Sequence, residues 1–396
     1  MQPIIIIGGG FAALQTIKML RKIDTQIAIE LFTSDNGAEY NKPSLSHVFS
    51  QNQSVEDLTL NTAAAVAEQY NIVVHTHTRV ESINAEVQYI EANGKRHHYS
   101  KLVLATGAST FVPPVKGLDH NKVLTLNSLS EFHQSKPRID AAKRIAIIGG
   151  GLIGVELALD LQVAGKEVTV FEPASHLLAN LLPTFVSDEL ERELIKCGVR
   201  VKTNTAIIEA KHNDDNVVLR TCSSGLEVTN HLMASANRTE EDEIVFDEII
   251  AAAGLRPNIE LAIQAGIDVN QGIVVDSTLS SSVRNIFAIG DCAEIEGRVM
   301  AYLQPAILSA NVLAKQLTSS EGNLALPPML TKVKTPSYPI QLSGKHIQTA
   351  TRWEAEFTQN GIVAKAFNDA NSFVGFVVTG NHPKAAFPLL RELQLA

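Results

Sequence analysis

Two segments that join an apolar run to three consecutive glycines constrain the fold more than any other feature of the sequence. Residues 4–7 are four isoleucines that lead into the glycines 8–10, and the apolar residues 145–148 lead into the glycines 149–151. An apolar strand that turns through glycines into a helix, with another apolar strand after it, is typical of a βαβ unit with parallel strands. The chain is therefore expected to have an α/β fold with two such units.

The same pattern predicts the boundaries of the elements in both units. In the first unit we expect a strand from Pro3 to Ile7, a helix from about Phe11 to Arg21 and a strand from Ala28 to Phe32. In the second we expect a strand from Ile145 to Ile148, a helix that continues through Asp160 and Leu161 and ends at Gly165, and a strand from Val168 to Phe171. The two units are far enough apart in sequence to belong to two domains of related architecture.

The glycine turns point to dinucleotide binding. The first reads Gly8-x-Gly10-x-x-Ala13. Glycines allow the tight turn and let a pyrophosphate approach the backbone, and a small third residue lets the helix pack closely on the strand. The N–H groups at the start of the helix then face the phosphates. The turn is therefore expected to contact a dinucleotide through Gly8, Gly10 and Ala13, and the family resemblance described below adds Phe11 and Ala12.

The second turn reads Gly149-x-Gly151-x-x-Gly154, and Glu172 follows at the end of the next strand. A carboxylate at that place accepts hydrogen bonds from an adenosine ribose 2′-hydroxyl and repels a 2′-phosphate. The sequence therefore predicts NADH rather than NADPH in the second domain. In the first unit Thr33 stands at the equivalent position, so ribose recognition there is expected to differ.

The length of 396 residues suits two or three domains. Residues 1–112 and 245–316 are expected to form the first dinucleotide-binding domain, residues 113–244 the second, and residues 317–396 a small α+β interface domain. The last of these should contain strands at 362–367 and 373–379 and a final helix from Pro383 to Leu395. The polar stretch 235–243 is expected to be a solvated loop or hairpin tip.

Composition excludes several classes of protein. The net charge of −9 argues against a nucleic-acid binder, although a local basic patch is compatible with it. No apolar run reaches the roughly 20 residues that span a bilayer, and no signal peptide is expected. The cysteines Cys197, Cys222 and Cys292 are odd in number and far apart. This favours neither a disulfide framework nor a metal site, and it fits a reducing cytoplasm.

Three further segments carry a family resemblance. Residues 102–107 end in Ala-Thr-Gly, residues 286–291 end in Gly-Asp, and residues 249–257 read IIAAAGLRP. Together with the two glycine turns, and in the order in which all five segments occur along the chain, they resemble the flavoprotein reductases that have two dinucleotide-binding domains. The resemblance implies FAD in the first domain and NADH in the second. It also implies that Thr106 and Gly107 close the FAD domain and that Asp291 binds the ribityl chain of the flavin.

Other segments indicate a branch of this family. Relatives that reduce disulfides or peroxides carry cysteines in the first helix region or at residues 39–47, and this chain has none there. Residues 40–46 instead resemble the Tyr-x-Arg/Lys-Pro-x-Leu-Ser run of reductases that serve rubredoxins and small ferredoxins. Residues 39–48, 102–114, 290–294 and 332–336 are similar to those of the reductases that serve nitric-oxide-reducing flavorubredoxins. The implied activity is electron transfer from NADH through FAD to a rubredoxin centre, in nitric oxide detoxification.

The resemblance also implies individual contacts. For FAD it adds Thr33, Ser34, Lys42, Val80, Leu303 and Lys334. Glu156 is expected beside the nicotinamide and flavin, with His47 where several ferredoxin reductases have a lysine that pairs with the glutamate. A carboxylate neighbour would favour the charged imidazolium. The alternatives are a first-turn glutamate that is favourable to the helix dipole and a histidine that is hydrogen-bonded in a loop.

The identity of the electron acceptor stays open at this point. The expected partner is the rubredoxin domain of a flavorubredoxin or a similar small iron electron carrier, with no nucleic acid and no membrane. A general NADH:ferredoxin or oxygenase-component reductase is one alternative, and a redox-signalling flavoprotein of the apoptosis-inducing-factor type is another. Because rubredoxins are usually acidic, docking would need a local basic patch, for which the candidates are Lys42, Lys332, Lys334 and Lys345.

Overall fold

The computed structural model describes residues 2–213, 215–224, 238–344 and 350–395. Lys345 and residues 235–237 of the polar stretch lie outside the described residues. The described α-helices are α1 (Phe11–Ile23), α2 (Val55–Leu58), α3 (Ala63–Tyr70), α4 (Leu129–Ala141), α5 (Leu152–Val163), α6 (Thr184–Lys196), α7 (Glu260–Gln264), α8 (Leu303–Leu317) and α9 (Pro383–Leu395), with 3-10 helices at Lys42–His47, His120–Lys122 and Gly290–Cys292. No helix in this part of the chain is long and apolar enough to cross a membrane.

The strands from the N-terminus to the middle of the chain are β1 (Ile4–Ile7), β2 (Ile29–Phe32), β3 (Glu39–Tyr40), β4 (Thr59–Asn61), β5 (Val73–His75), β6 (Val80–Asn84), β7 (Tyr89–Ala92), β8 (Lys95–His98), β9 (Lys101–Leu104), β10 (Ala108–Thr110), β11 (Arg144–Ile148), β12 (Glu167–Phe171), β13 (Arg200–Lys202) and β14 (Thr205–His212). The later strands are β15 (Val217–Ser224), β16 (Arg238–Phe246), β17 (Glu248–Ala251), β18 (Leu255–Pro257), β19 (Ile273–Val275), β20 (Ile286–Ala288), β21 (Ala293–Ile295), β22 (Arg298–Val299), β23 (Thr331–Val333), β24 (Ile340–Ser343), β25 (Arg352–Thr358), β26 (Gly361–Phe367) and β27 (Phe373–Thr379).

The chain divides into two compact units. The first comprises Met1–Pro43, Ser54–Ser109 and Leu255–Leu326, and the second comprises Ser44–Gln53, Thr110–Gly254 and Pro327–Ala396. The first therefore resumes at residue 255 rather than at the predicted residue 245. The reason is that β17 pairs in parallel with β11 inside the second unit. The division into three domains stays a prediction.

The first unit is built on a parallel sheet with the strand order β20-β9-β1-β2-β5. Ile4 of β1 lies opposite Ile29 of β2 and Lys101 of β9. The isoleucines of β1 are all buried, as expected for a central strand that is covered on both faces. Helices α1 and α8 pack on each other, and an antiparallel sheet of β6, β7 and β8 contributes Ile83 and Ile90 to the same hydrophobic core.

The second unit contains a parallel sheet with the order β13-β12-β11-β17 and an antiparallel sheet of β14, β15 and β16. Residues 238–243 of the polar stretch belong to β16 and pair with β15 rather than forming a loop. Helix α5 is buried on nearly all sides, from Gly154 to Leu161. The C-terminal part of this unit is an antiparallel sheet with the order β23-β24-β27-β26-β25, and α9 packs against β27 and β24.

The predicted elements agree closely with the structure. β1, α1 and β2 begin and end within two residues of the predicted boundaries, and β27 and α9 match their predictions at both ends. These segments were predictable because a continuous apolar strand and an amphipathic helix give strong local signals. The predicted α/β fold with two Rossmann-like halves and a small α+β C-terminal part is confirmed.

Candidate functional site

The first glycine turn packs tightly against the end of β9. Gly8 has a φ of 109°, and a Cβ at this position would lie 2.1 Å from the carbonyl oxygen of Ala105. Gly10, the N-cap of α1, has no atom within 4 Å of the place where its Cβ would be. No side chain caps α1, and its first turn has no acidic residue. The N–H groups at this end of the helix are therefore available to a phosphate, with the positive end of the helix dipole behind them.

Asp291 lies close to the start of this helix because Gly290 allows a tight approach. A Cβ on Gly290 would lie 2.7 Å from the Cβ of Ala12 in the first turn of α1. The Asp291 carboxylate lies 3.5 Å from the ammonium of Lys42, and both side chains are partly exposed. The structure thus brings together the predicted residues Ala12, Lys42 and Asp291, which offer a hydrogen-bond acceptor and a cation beside an open helix end.

The Ala-Thr-Gly turn is held by a residue that the sequence analysis missed. Asn258 donates its amide group to the carbonyl of Thr106, and the Thr106 hydroxyl donates to the carbonyl of Asn258, both at 2.8 Å. Asn258 also donates its backbone N–H to the carbonyl of Gly107. The signal for it is the asparagine that follows the IIAAAGLRP segment directly.

The other predicted FAD contacts of this unit lie at the ends of elements. Phe11 and Ala13 are in the first turn of α1, Val80 begins β6 and is buried, and Leu303 begins α8. Thr33 follows β2 and lies against the turn, because a Cβ on Gly9 would be 2.9 Å from its hydroxyl oxygen. Ser34 follows Thr33. An open glycine cradle at an uncapped helix, with an acceptor and a cation beside it, fits the pyrophosphate and ribityl parts of FAD.

The second unit repeats the cradle. Gly149 has a φ of 108°, and its Cβ would lie 2.5 Å from the carbonyl oxygen of Ala252. A Cβ on Gly154 would lie 2.0 Å from the carbonyl oxygen of Gly149, so only glycine lets α5 approach the turn this closely. Gly151 is the N-cap of α5 without a side-chain cap, and nothing lies within 4 Å of its Cβ position. This is the place where the predicted pyrophosphate of NADH fits.

Glu172 orders this turn from the end of β12. One carboxylate oxygen accepts the N–H of Gly150 at 2.7 Å, and the other accepts the N–H of Ala174 at 2.8 Å. The side chain is half-buried. Because each carboxylate oxygen has a second lone pair, the group can still accept a hydrogen bond from a ribose hydroxyl. The geometry therefore gives Glu172 a structural role that the sequence did not predict, beside the predicted binding role.

Glu156 on α5 is almost fully buried, with 2% of its surface exposed. One carboxylate oxygen accepts a hydrogen bond from the Ser46 hydroxyl at 2.7 Å, and the other accepts the backbone N–H of Lys334 at 2.8 Å. The Nε2 atom of His47 lies 3.8 Å from the carboxylate, which is too long for a hydrogen bond. The structure thus places His47, Glu156 and Lys334 together, with Glu156 connecting two distant segments.

His47 lies at the edge of an open cleft of about 400 Å³ that is lined by His47, Ser50, Gln51, Lys334, Thr335, Pro336 and Pro339. The Nε2 atom of His47 is buried and has no hydrogen-bond partner among the described residues. A buried ring nitrogen without a partner is rare, because an unsatisfied polar atom is costly. Within the described part of the chain, the imidazole thus keeps one ring nitrogen without a hydrogen bond, 3.8 Å from the Glu156 carboxylate.

A second buried carboxylate on the same helix was missed by the sequence analysis. Asp160, which lies one turn after Glu156, accepts the backbone N–H groups of Phe49 at 2.8 Å and Ser50 at 3.2 Å, and also the Ser50 hydroxyl. It is 4% exposed. The signal for it is present in the sequence, since α5 is otherwise almost wholly apolar and carries its two acids four residues apart. Glu156 and Asp160 together fix the segment that carries His47.

The cysteines offer no redox-active pair. All three are free, and Cys292 is completely buried. Its thiol donates to the carbonyl oxygens of Leu104 and Ile289. Burial raises the pKa of Cys292 above its ordinary value, which keeps the thiol protonated and unreactive as a nucleophile.

Comparisons with known proteins agree with this geometry. Residues 2–310 match the family described as pyridine nucleotide-disulphide oxidoreductase, and residues 323–393 match the family described as rubredoxin binding C-terminal domain. A protein from Vibrio vulnificus (strain CMCP6) named nitric oxide reductase FlRd-NAD(+) reductase is 48% identical over 391 residues, which are 99% of this chain and 98% of that protein. A protein of the same name from Escherichia coli O127:H6 is 44% identical over 393 residues, 99% of both chains.

Solved structures share the fold. The putidaredoxin reductase of a covalent putidaredoxin reductase–putidaredoxin complex aligns with a TM-score of 0.86 at 22% identity, covering 99% of this chain and 93% of that chain. The NADH:rubredoxin oxidoreductase of Clostridium acetobutylicum aligns with a TM-score of 0.78 at 20% identity, covering 100% of this chain and 94% of that chain. At these identities the likeness concerns the fold alone.

Proposed function

Because the chain belongs to the pyridine nucleotide-disulphide oxidoreductase family, we propose that it is an NADH-dependent flavoprotein reductase whose electron acceptor is the rubredoxin centre of a nitric-oxide-reducing flavorubredoxin. The observation that carries this proposal is the rubredoxin-binding match at residues 323–393. It is supported by relatives that are up to 48% identical over nearly the full length and are named FlRd-NAD(+) reductases. The reaction oxidises one NADH and reduces two one-electron iron centres.

The first unit binds FAD. The backbone N–H groups at the start of α1 hold the pyrophosphate, which Gly10 leaves room for. Asp291 would accept hydrogen bonds from ribityl hydroxyls, and the ammonium of Lys42, 3.5 Å from this carboxylate, would limit the local negative charge. When it is bound, FAD supplies the chemistry, since it accepts two electrons from a hydride donor and releases them one at a time.

The second unit binds NADH. The start of α5 holds the pyrophosphate, and Glu172 accepts a hydrogen bond from the adenosine ribose while it orders the turn through Gly150. The same carboxylate repels the 2′-phosphate of NADPH. Glu156 acts as a positioning residue, because both of its oxygens already accept hydrogen bonds from Ser46 and Lys334. His47 lies beside this carboxylate and lines the neighbouring cleft.

The redox chemistry would belong to bound FAD rather than to a thiol of this chain. Cys292 is buried and protonated, and the described residues contain no disulfide. The three free cysteines also support a reducing compartment, and we place the protein in the cytoplasm on this ground.

The proposal is tested by an anaerobic steady-state assay of the FAD-loaded protein with NADH, in which the rubredoxin domain of a flavorubredoxin is added or withheld. NADH oxidation is expected to be slow without the domain and to rise in proportion to it until saturation. The absence of any acceleration would contradict the proposal. Acceleration by a vertebrate-type or plant-type ferredoxin to the same degree would favour a general ferredoxin reductase.

A further inference from the structure

A cluster of metal-ligating side chains lies in the first unit, outside the dinucleotide cradle. Glu30 on β2, His75 on β5 and His97 on β8 each contribute one ligand atom, and these atoms lie within 4.8 Å of one another. The three residues come from three strands of two different sheets. All three are half-buried, with 24–28% of each side chain exposed.

The pairing of the strands explains this convergence. Phe32 of β2 lies opposite His75 of β5 in the parallel sheet. Glu30 is two residues before Phe32, so its side chain lies on the same face. The antiparallel sheet of β6, β7 and β8 supplies His97. The cluster is therefore a product of the strand register rather than of any sequence motif.

The two imidazole rings are held in place by one buried aromatic ring. Phe32, which is 1% exposed, stacks on His75 at 4.1 Å between centroids and makes an edge contact with His97 at 4.9 Å. The two histidine rings lie 5.5 Å apart. Side chains that are ordered by packing lose little further freedom on binding an ion, which favours affinity.

The distances are close to those of a metal site. His75 Nε2 lies 2.9 Å from Glu30 Oε2, and His97 Nδ1 lies 3.9 Å from the same oxygen. In a tetrahedral zinc site the Zn–N and Zn–O bonds are about 2.0–2.1 Å long, so two ligand atoms lie about 3.3 Å apart. This spacing falls between the two distances from the histidines to Glu30. All three donor atoms lie within 4.8 Å of one another, so rotations of the side chains would bring them toward this spacing.

The three donor atoms also suit a cation. A neutral imidazole is the form that binds a metal ion. The cluster offers one ring nitrogen from each histidine and one carboxylate oxygen from Glu30.

We propose that Glu30, His75 and His97 form a site for a divalent transition-metal ion of the Zn²⁺ class, with water as the remaining ligand. Two imidazoles and one carboxylate match the borderline character of Zn²⁺ and disfavour Mg²⁺ and Ca²⁺, which prefer oxygen ligands alone. The partial exposure of all three side chains gives the ion and the water a path from solvent. The ion joins β2 and β5 to β8 and stabilises the unit that holds FAD.

The test is calorimetric titration of the EDTA-treated holoprotein with Zn²⁺. We expect one equivalent to bind with a dissociation constant of about 10 μM or lower, and His75→Ala and His97→Ala each to weaken binding by about tenfold or more. His98→Ala is the matched control, because His98 is adjacent on β8 and contacts the Tyr89 ring instead. FAD content and circular dichroism show that each variant is folded.

X-ray absorption at the zinc edge provides a second measurement that needs no variant. Wild-type protein with one equivalent of Zn²⁺ is expected to show nitrogen and oxygen ligands with two imidazoles. A sulfur ligand, which would place the ion on a cysteine, overturns the proposal. So does wild-type protein that binds no Zn²⁺, or a His97→Ala variant that binds it as tightly as the wild type.

Discussion

Glu172 shows how one side chain can order a loop and also select a coenzyme. Its oxygens accept the N–H groups of Gly150 and Ala174, and the proposed function has the same carboxylate bind the adenosine ribose. Replacement by alanine removes the acceptor for the ribose 2′-hydroxyl and the repulsion of a 2′-phosphate. We therefore expect Glu172→Ala to lower kcat/KM for NADH by about tenfold or more and to change kcat/KM for NADPH much less.

Steady-state kinetics with both coenzymes measure this change. Glu167→Ala is the control, because Glu167 lies at the opposite end of β12 from Glu172 and forms an exposed ion pair with Lys143. It is expected to leave the preference for NADH intact. A wild-type protein that uses NADPH as well as NADH, or a Glu172→Ala variant with an unchanged preference, would contradict this reading of Glu172.

The cysteines provide a second prediction at the scale of single residues. Cys292 is buried and donates its thiol proton to backbone carbonyls, a role that a serine hydroxyl can take over. The variant with Cys197→Ser, Cys222→Ser and Cys292→Ser is therefore expected to keep most of its NADH-to-acceptor activity. Stopped-flow reduction by NADH measures it. A thiolate-to-flavin charge-transfer band in the wild type, or loss of reduction in the variant, would show that a thiol takes part.

At the scale of elements, the two glycines of the second turn have separable roles. Gly149 has a positive φ and packs so closely against a carbonyl oxygen that a side chain would not fit. Gly151 instead leaves open space for a phosphate. Gly149→Ala is expected to destabilise the protein by about 2 kcal/mol or more, since its Cβ would lie 2.5 Å from a carbonyl oxygen. Gly151→Ala is expected to leave stability unchanged and to raise KM for NADH by about tenfold.

Thermal unfolding and NADH kinetics separate the two effects, with the FAD content of each variant as the control for the first unit. Equal stability of both variants would show that the turn tolerates a Cβ at position 149. A normal KM for NADH in Gly151→Ala would show that the pyrophosphate lies elsewhere.

Helix α5 and the segment Ser44–Gln53 are coupled by Asp160. The two oxygens of the Asp160 carboxylate accept three hydrogen bonds, from the N–H groups of Phe49 and Ser50 and from the Ser50 hydroxyl. An asparagine replaces one of these oxygens by an NH2 group, which cannot accept, so at least one of the three donors is left unpaired. The cost is about 2 kcal/mol. Asp160→Asn is expected to increase amide hydrogen exchange of residues 44–53 about 30-fold, since the segment opens locally.

Hydrogen-exchange mass spectrometry tests this coupling. Asp140→Asn serves as the control, because Asp140 forms an exposed ion pair with Lys136, and it is expected to leave exchange of residues 44–53 unchanged. Unchanged exchange in Asp160→Asn would mean that other contacts hold the segment.

The elements show what the sequence can and cannot predict. Strand β1 and helix α1 were predictable because their signals are local, in an apolar run and in glycine spacing. The bonds from Ser46 and Phe49 to α5 were not, since each joins residues about 110 positions apart. The cluster of Glu30, His75 and His97 depends on the register between strands, and the sequence analysis predicted no metal site. Strand β8, with the sequence KRHH, lacks an apolar signal altogether.

At the scale of the whole molecule, the net charge of −9 works against docking of an acidic partner. Attraction must therefore come from local cations. Lys332 on β23 is exposed, and Lys334, two residues later, is exposed as well. We expect Lys332→Glu to lower the second-order rate of rubredoxin reduction by about threefold to tenfold at low salt, because steering acts on association. The difference in rate between the wild type and Lys332→Glu should shrink as salt is added, because the screening length falls to about 8 Å at physiological ionic strength.

Stopped-flow traces over a series of salt concentrations measure this rate, while reduction of the flavin by NADH should vary little. Lys143→Glu changes the net charge by the same amount at an exposed residue that pairs with Glu167, and it is the control. A rate that is insensitive to salt and to Lys332→Glu would contradict docking on this lysine.

The choice of electron acceptor tests the central claim most directly. The protein, reduced anaerobically by NADH, is mixed with the oxidised rubredoxin domain of a flavorubredoxin and, separately, with an oxidised [2Fe–2S] ferredoxin under the same conditions. The rubredoxin-binding match at residues 323–393 predicts a second-order rate with the rubredoxin domain that is higher by about tenfold or more. Equal rates, or a faster reaction with the ferredoxin, would contradict the assignment of rubredoxin as the partner.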